Sequence, residues 1–232
     1  MKNLIIKSKK NCLKSNKDIL VKKLAIQTFG NASQRINENL FVIKPSGVNL
    51  KKIKSNDLVI IDINSGKKIN SKLKPSSDTE THRVLYKKFP NIKGIAHAHP
   101  TFLTSWAQTG KSIPNLGTTH SDYWHKDIPI TNDLRKDEVI RNYEYNTGKS
   151  IINLLIKKKL KSENCPGVLS KYHGAFAWGK SSDDAVKNLE AMEFIAELAF
   201  YTSIIGYKKK VSKTIIDKHF FRKHGKNKYY GQ

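Results

Sequence analysis

The chain is poor in cysteine, in acidic residues and in long apolar runs. Its only cysteines are Cys12 and Cys165. Two such thiols give no disulfide framework and fit a reducing compartment. No run approaches the ~20 apolar residues that span a bilayer. The basic N-terminus, Met-Lys-Asn-Leu-Ile-Ile-Lys, holds an apolar run of three residues, too short for a signal-peptide core. These absences predict a cytoplasmic protein with no membrane contact. No internal repeat or low-complexity linker interrupts the 232 residues, so one domain over 1–232 is the economical reading.

Acidic residues number 19 against 43 basic ones, a formal net charge of +24. Taken alone, that charge suggests a polyanionic partner. The lysines are scattered, however, and no zinc finger, basic zipper or RNA-binding motif accompanies them, so no nucleic-acid partner is expected. The lysine-, isoleucine- and asparagine-rich composition reads as compositional drift. The positive field can still draw in a small anionic substrate.

What is present is a set of apolar segments with clear punctuation. Loose helical spacing over 1–26 predicts one or two helices. Residues 27–33 read as a loop centred on Gly30-Asn31. Leu40–Ile43 and Leu58–Ile63 read as strands, and Asn64–Lys67 as a hairpin turn. Ser77 and Glu80 have capping-box spacing for a helix running to about Phe89. Pro100 stands where a helix over 101–108 begins. Residues 110–135 are loop-rich, with a short strand near 128–131. Helices are predicted from about Asp137 and over 149–160. Val168–Tyr172 and Ala175–Trp178 read as a hairpin, 182–205 as the longest helix, and 212–224 as the last. The stripe Ala185, Val186, Leu189, Ile195, Ala196 and Ala199 reads as core.

The centre of this pattern is Gly94-Ile95-Ala96-His97-Ala98-His99-Pro100. On a strand, residues i and i+2 point to one face, about 6–7 Å apart at Cα. Neutral imidazoles so placed can grip one divalent metal, or simply make ordinary hydrogen bonds. His173, at a strand end before Gly174, is suited to be a third ligand. Asp78, opening a helix, can be a cap, a fourth ligand or a base. His82, one turn on, reads as structural. Three small clusters suit an anion: Gly30-Asn31, Ser46-Gly47 with Lys44 near, and Ser76-Ser77 at a helix N-terminus. Each also reads as an ordinary turn or cap. His120 and His125 flank Ser121-Asp122-Tyr123-Trp124, a loop whose groups can serve acid–base work.

Several longer strings occur in order: FVIKPSGV, KPSSDT, HAH, GTTHSDY, PGVL, HGAFAWGK and DKHFFRKHGKNKYYGQ. Together they resemble the class II aldolase and epimerase family over nearly the whole chain. The TTHSDY loop and the YYGQ terminus resemble its L-ribulose-5-phosphate 4-epimerase branch. The resemblance implies an α/β fold with a central, mostly antiparallel sheet flanked by helices. It implies a metal, usually zinc with Mn²⁺ or Co²⁺ as alternatives, on His97, His99 and His173, with Asp78 beside it. It implies phosphate binding by Gly30, Asn31, Ser46, Gly47, Ser76 and Ser77, with Lys44 close by. Asp122 and Tyr230 match the acid–base pair, Glu144 and His219 match supporting residues, and Arg222 is a further candidate. The implied reaction inverts C4 of a pentulose phosphate, a step of arabinose or ascorbate breakdown. The implied assembly is a homotetramer with active sites at subunit interfaces. A sugar-phosphate aldolase using the same histidines is the alternative.

Overall fold

The computed structural model describes residues 1–69, 71–207, 209–226 and 228–230, so the final Gly-Gln of the YYGQ terminus lies outside the described residues. A single α1 (Lys2–Val21) accounts for the first predicted helical region. β1 (Asn31–Arg35) and β2 (Leu40–Ile43) follow, then β3 (Val59–Asp62) and the short β4 (Lys68–Ile69) across the expected hairpin turn. α2 (Thr79–Lys88) leads to β5 (Gly94–Ala98) and α3 (Thr101–Thr109). Short helices α4 (Thr118–Ser121) and α5 (Lys136–Ile140) precede α6 (Tyr143–Lys157). β6 (Gly167–Ser170), β7 (Gly174–Gly179), α7 (Ser182–Ile205) and α8 (Lys213–His224) complete the chain.

The seven strands form one sheet in the order β4-β3-β2-β1-β5-β7-β6, and every named pair is antiparallel. The histidine strand β5 is therefore central, held by β1 on one side and β7 on the other. Its alternation decides what lies on each face. Gly94, Ala96 and Ala98 share a face with Ala177 and Ala175, their register partners. These small residues let α7 lie close, and a Cβ on Gly94 would fall 2.1 Å from the Ser181 carbonyl carbon. The opposite face carries Ile95, His97, Phe176 and Trp178, and there α2 packs, with His82 edge-on to Phe176 at 6.1 Å. No described helix is long and apolar enough to cross a membrane. Both cysteines are free and buried, as expected.

Four details differ from the sequence reading. Residues 31–33 belong to β1 and are not loop. This polar strand is buried because each side chain finds a partner. Ser33 Oγ bridges His82 Nδ1 at 2.7 Å and Tyr86 Oη at 2.8 Å. Gln34 Oε1 accepts from Ser182 N at 2.8 Å, and Arg35 donates to carbonyls at the end of α2 and beyond, among them Tyr86, Phe89 and Ile92. The Ser77–Glu80 capping box does not form: α2 begins after Asp78, and Glu80 pairs with Arg83 at 2.7 Å. The strand expected near 128–131 is reduced to isolated bridges, Ile113 with Ile128 and Ile130 with Leu169. The helix expected from 149 starts at Tyr143, six residues earlier.

Candidate active site

His97 closes β5's inward face, fully buried and opposite Phe176 in register, with the two rings stacked at 4.0 Å and 12°. Its Nδ1 lies 2.8 Å from Ala175 O. A carbonyl only accepts, so Nδ1 carries the proton and Nε2 keeps its lone pair. His99 follows just past the strand, its Nε2 3.0 Å from that of His97. The ring rests on bare backbone: a Cβ on Gly174 would stand 2.6 Å from His99 Cδ2 and 2.8 Å from Ala98 O. His173 arrives from the turn between β6 and β7. Tyr172, just before it, has φ 60, a left-handed conformation that an aromatic residue rarely adopts.

The ligand atoms of His97, His99 and His173 all lie within 4.8 Å of one another. Burial, reinforced by the neighbouring imidazoles, holds His97 and His173 down to about 3, so both rings are neutral near pH 7. Converging neutral imidazole nitrogens, one with its other nitrogen bonded to a carbonyl, are a donor set that fits a divalent ion. Asp78 completes the approach, with Oδ2 4.0 Å from His97 Nε2. It occupies the N-cap of α2 without making a side-chain cap bond, so its carboxylate faces the histidines instead.

The three expected anion clusters meet beside this group. Asn31 Nδ2 donates to Asp78 Oδ2 at 2.7 Å, and its buried Oδ1 has no hydrogen-bond partner among the described residues. Gly30 has φ 81, and a Cβ there would sit 3.0 Å from His97 O, so the close approach requires glycine. Lys44 is buried, with Nζ on Thr28 O at 2.8 Å. Burial lowers its pKa while the Asp78 charge opposes the shift. The 44–47 and 74–77 segments are zipped together by a Pro45–Pro75 bridge, with Ser46 N on Lys74 O and Ser76 N on Lys44 O, both 2.9 Å. Those two amides are spent on backbone. The hydroxyls of Ser46, Ser76 and Ser77 and the amides of Gly47 and Ser77 make no hydrogen bond among the described residues.

A second cluster gathers Asp122, His219, Arg222 and Tyr230. Arg222 Nη2 lies 3.0 Å from each Asp122 carboxylate oxygen, and His219 Nδ1 lies 3.1 Å from Oδ1. Burial pushes this carboxyl up, but the hydrogen bonds from Arg222 and His219, with the Lys223 charge, outweigh it and hold the group below the usual carboxylate range. Tyr230 lies over the Arg222 guanidinium at 4.2 Å, and its amide donates to Arg222 O at 3.1 Å. His125 joins the same helix through Asp217 at 2.6 Å. His120 is buried on Lys126 O at 3.0 Å, and His82 is buried on Ser33, separated from His97 by the Phe176 ring on which both pack. Glu144 sits in the first turn of α6, where its carbonyl accepts from Thr81 Oγ1 at 2.6 Å. Among the described residues no hydrogen bond or ion pair joins the Asp122 cluster to the histidines.

Sequence reasoning missed three residues. Phe176 was legible only through the pairing of β7 with β5. Tyr172 and Tyr143, whose hydroxyl is 3.2 Å from His173 Nδ1, carry no signal in spacing or composition. A cavity of about 670 Å³ lies elsewhere, between α5, α6 and the 130–135 segment.

The family model for the Class II Aldolase and Adducin N-terminal domain matches residues 11–200. An L-fuculose 1-phosphate aldolase structure is similar at 23% identity over 92% of this chain and 94% of its own, with a TM-score of 0.77. YgbL from Escherichia coli, a candidate aldolase/epimerase/decarboxylase, is similar at 19% identity over 92% and 98%, with a TM-score of 0.73. A sugar-phosphate aldolase from Thermotoga maritima is similar at 18% identity over 90% and 98%, with a TM-score of 0.67. At such identities the likeness to these structures is one of fold.

Proposed function

The chain belongs to the Class II aldolase and adducin N-terminal domain family, and from that premise we propose that it is an L-ribulose-5-phosphate 4-epimerase using a zinc ion held by His97, His99 and His173. The observation that carries this reading is the Asp122–His219–Arg222–Tyr230 cluster. Two groups able to move protons, a carboxylate and a phenol, lie on one guanidinium.

C4 of the substrate is β to the ketone, so its proton is not acidic, and inversion goes by breaking and remaking the C3–C4 bond. When bound, the ion supplies Lewis acidity for the C2 carbonyl and C3 hydroxyl. Asp122, held ionised by Arg222 and His219, is equipped to take the C4 hydroxyl proton. Cleavage leaves a dihydroxyacetone enediolate and glycolaldehyde phosphate. The aldehyde turns its other face, the bond re-forms, and Tyr230 protonates the new alkoxide. In the reverse direction the two exchange roles. Throughout, the free hydroxyls of Ser46, Ser76 and Ser77, the amides of Gly47 and Ser77, and Lys44, with Gly30 and Asn31, hold the phosphate while the aldehyde rotates. Glu144, in the first turn of α6, is assigned a supporting role.

Among the described residues no hydrogen bond or ion pair ties the acid–base cluster to the histidines of the same chain, which supports a site completed by a neighbouring subunit in a homotetramer. Exposed Phe194, Leu198, Tyr201 and Ile205 run down one face of α7, an apolar stripe suited to a subunit contact.

The aldolase reading has its own support, since similar structures include an L-fuculose 1-phosphate aldolase. One assay separates the two. Zinc-loaded protein is given L-ribulose 5-phosphate, and D-xylulose 5-phosphate is followed by a coupled reaction, with His97→Asn as control. Product that vanishes in the variant is expected. Free glycolaldehyde phosphate released at the turnover rate moves the assignment to aldolase. Neither product, with zinc bound, overturns both for this substrate.

A further inference from the structure

Two of the three histidines have one ring nitrogen, Nδ1, held by a specific partner. For His97 that partner is a backbone carbonyl. For His173 it is the Tyr143 hydroxyl, 3.2 Å from Nδ1, with the rings tilted at 34° and 5.9 Å apart. The Tyr143 phenol is half-buried, with Thr147 as its other polar neighbour.

The segment that aims Tyr143 is held from three sides. Asn142 takes a left-handed turn, φ 56 and ψ 52, between α5 and α6. Asn146 Nδ2 straps that turn by donating to Glu138 O at 2.9 Å and Arg141 O at 2.7 Å. Thr147 Oγ1 and Thr81 Oγ1 secure the carbonyls of Tyr143 at 3.0 Å and Glu144 at 2.6 Å. A left-handed residue, which asparagine tolerates better than most, and a strapped turn fix where this helix begins. Their product is one phenol at one imidazole. On the facing side, left-handed Tyr172 delivers His173 to the same point. Two independent backbone distortions therefore converge on a single hydrogen bond.

From this geometry we infer that Tyr143 is the positioning residue of His173: its hydroxyl oxygen accepts the Nδ1 proton, fixes the ring, and reserves Nε2 for a divalent ion. The inference rests on the three-histidine centre proposed above and assigns to it a side chain from α6. The opposite polarity, the phenol donating to Nδ1, would put the proton on Nε2 and remove that nitrogen from the donor set.

The test uses the full chain, wild type and Tyr143→Phe, stripped of metal and labelled with ¹⁵N-histidine. Long-range imidazole spectra of the apoprotein near pH 8 report the His173 tautomer. The Nδ1–H form is expected in the wild type, and a mixture in Tyr143→Phe. Zn²⁺ affinity is then read by competition with a chromophoric chelator, where the variant's Kd rises about 10–100-fold with its apoprotein melting temperature unchanged. An Nε2–H tautomer in the wild type overturns the inference, as does a Tyr143→Phe variant with wild-type tautomer and wild-type Zn²⁺ affinity. A wild type that binds no Zn²⁺ overturns the metal centre, and the tautomer spectra then decide alone whether Tyr143 sets His173.

Discussion

Replacing Gly174 by alanine should cost metal binding more than it costs the fold. The new methyl would meet His99 Cδ2 at 2.6 Å and Ala98 O at 2.8 Å, where ordinary contact begins near 3.4 Å. The carbonyl belongs to β5, paired on both sides, and cannot retreat far. The imidazole can, and it must move by roughly 0.8 Å, whereas ligand distances tolerate only ~0.2 Å. Overpacking of this kind costs about 1–3 kcal/mol, or about 2–12 °C in melting temperature for a chain of this size. Losing one of three ligands costs the ion more, so we expect a Zn²⁺ Kd at least ~100-fold higher, equivalent to about 2.7 kcal/mol. The measurements are differential scanning calorimetry on apoprotein and a competitive Zn²⁺ titration. A Gly174→Ala protein with wild-type affinity and melting temperature would refute the argument that His99 is seated against bare backbone.

Two further outcomes follow from local geometry. Tyr172 is 62% exposed with φ 60, so Tyr172→Gly should stabilise the apoprotein by about 0.5–1 kcal/mol, the relief of left-handed strain less glycine's extra entropy when unfolded; a lower urea midpoint would contradict this. The Asp122 carboxyl is held below its ordinary value, so the stability it contributes is present above about pH 4–5, the unfolded range, and is lost as pH falls through the folded pKa. The gap in urea midpoint between wild type and Asp122→Asn should accordingly be level near neutrality and close in acid, and a gap that widened in acid would show the sign to be wrong.

The parts of the fold legible in the sequence were those where burial writes a period. Leu40–Ile43, the histidine strand, the β6–β7 hairpin and the long α7 all advertise themselves through apolar spacing. β1 did not, because Asn-Ala-Ser-Gln-Arg is a polar string whose burial depends on partners far along the chain: Asp78, His82, Ser182 and the carbonyls of α2. The capping box failed for a related reason. Local spacing favours Ser77 and Glu80, but the segment is held by its bridge to 44–47 and Glu80 is taken by Arg83. In the site, the metal-type residues announce their chemistry by type and spacing. Tyr143 and Tyr172 act through a hydrogen bond and a backbone angle, neither of which has a signature in one sequence.

His97 is locked into β5 between two paired neighbours, whereas Ser46, Ser76 and Gly47 lie on connecting loops, and Asp122 and Tyr230 depend on a loop and the chain's final helix. Segments of this kind open at different free energies, loops and termini first and central strands last. On the function proposed above, the site is graded within itself: His99, just past the strand, and His173, in a turn, loosen with the loops, while His97 alone stays in a paired strand. A partly opened population would then hold an ion on one fixed ligand only, so loss of metal and loss of activity should run together.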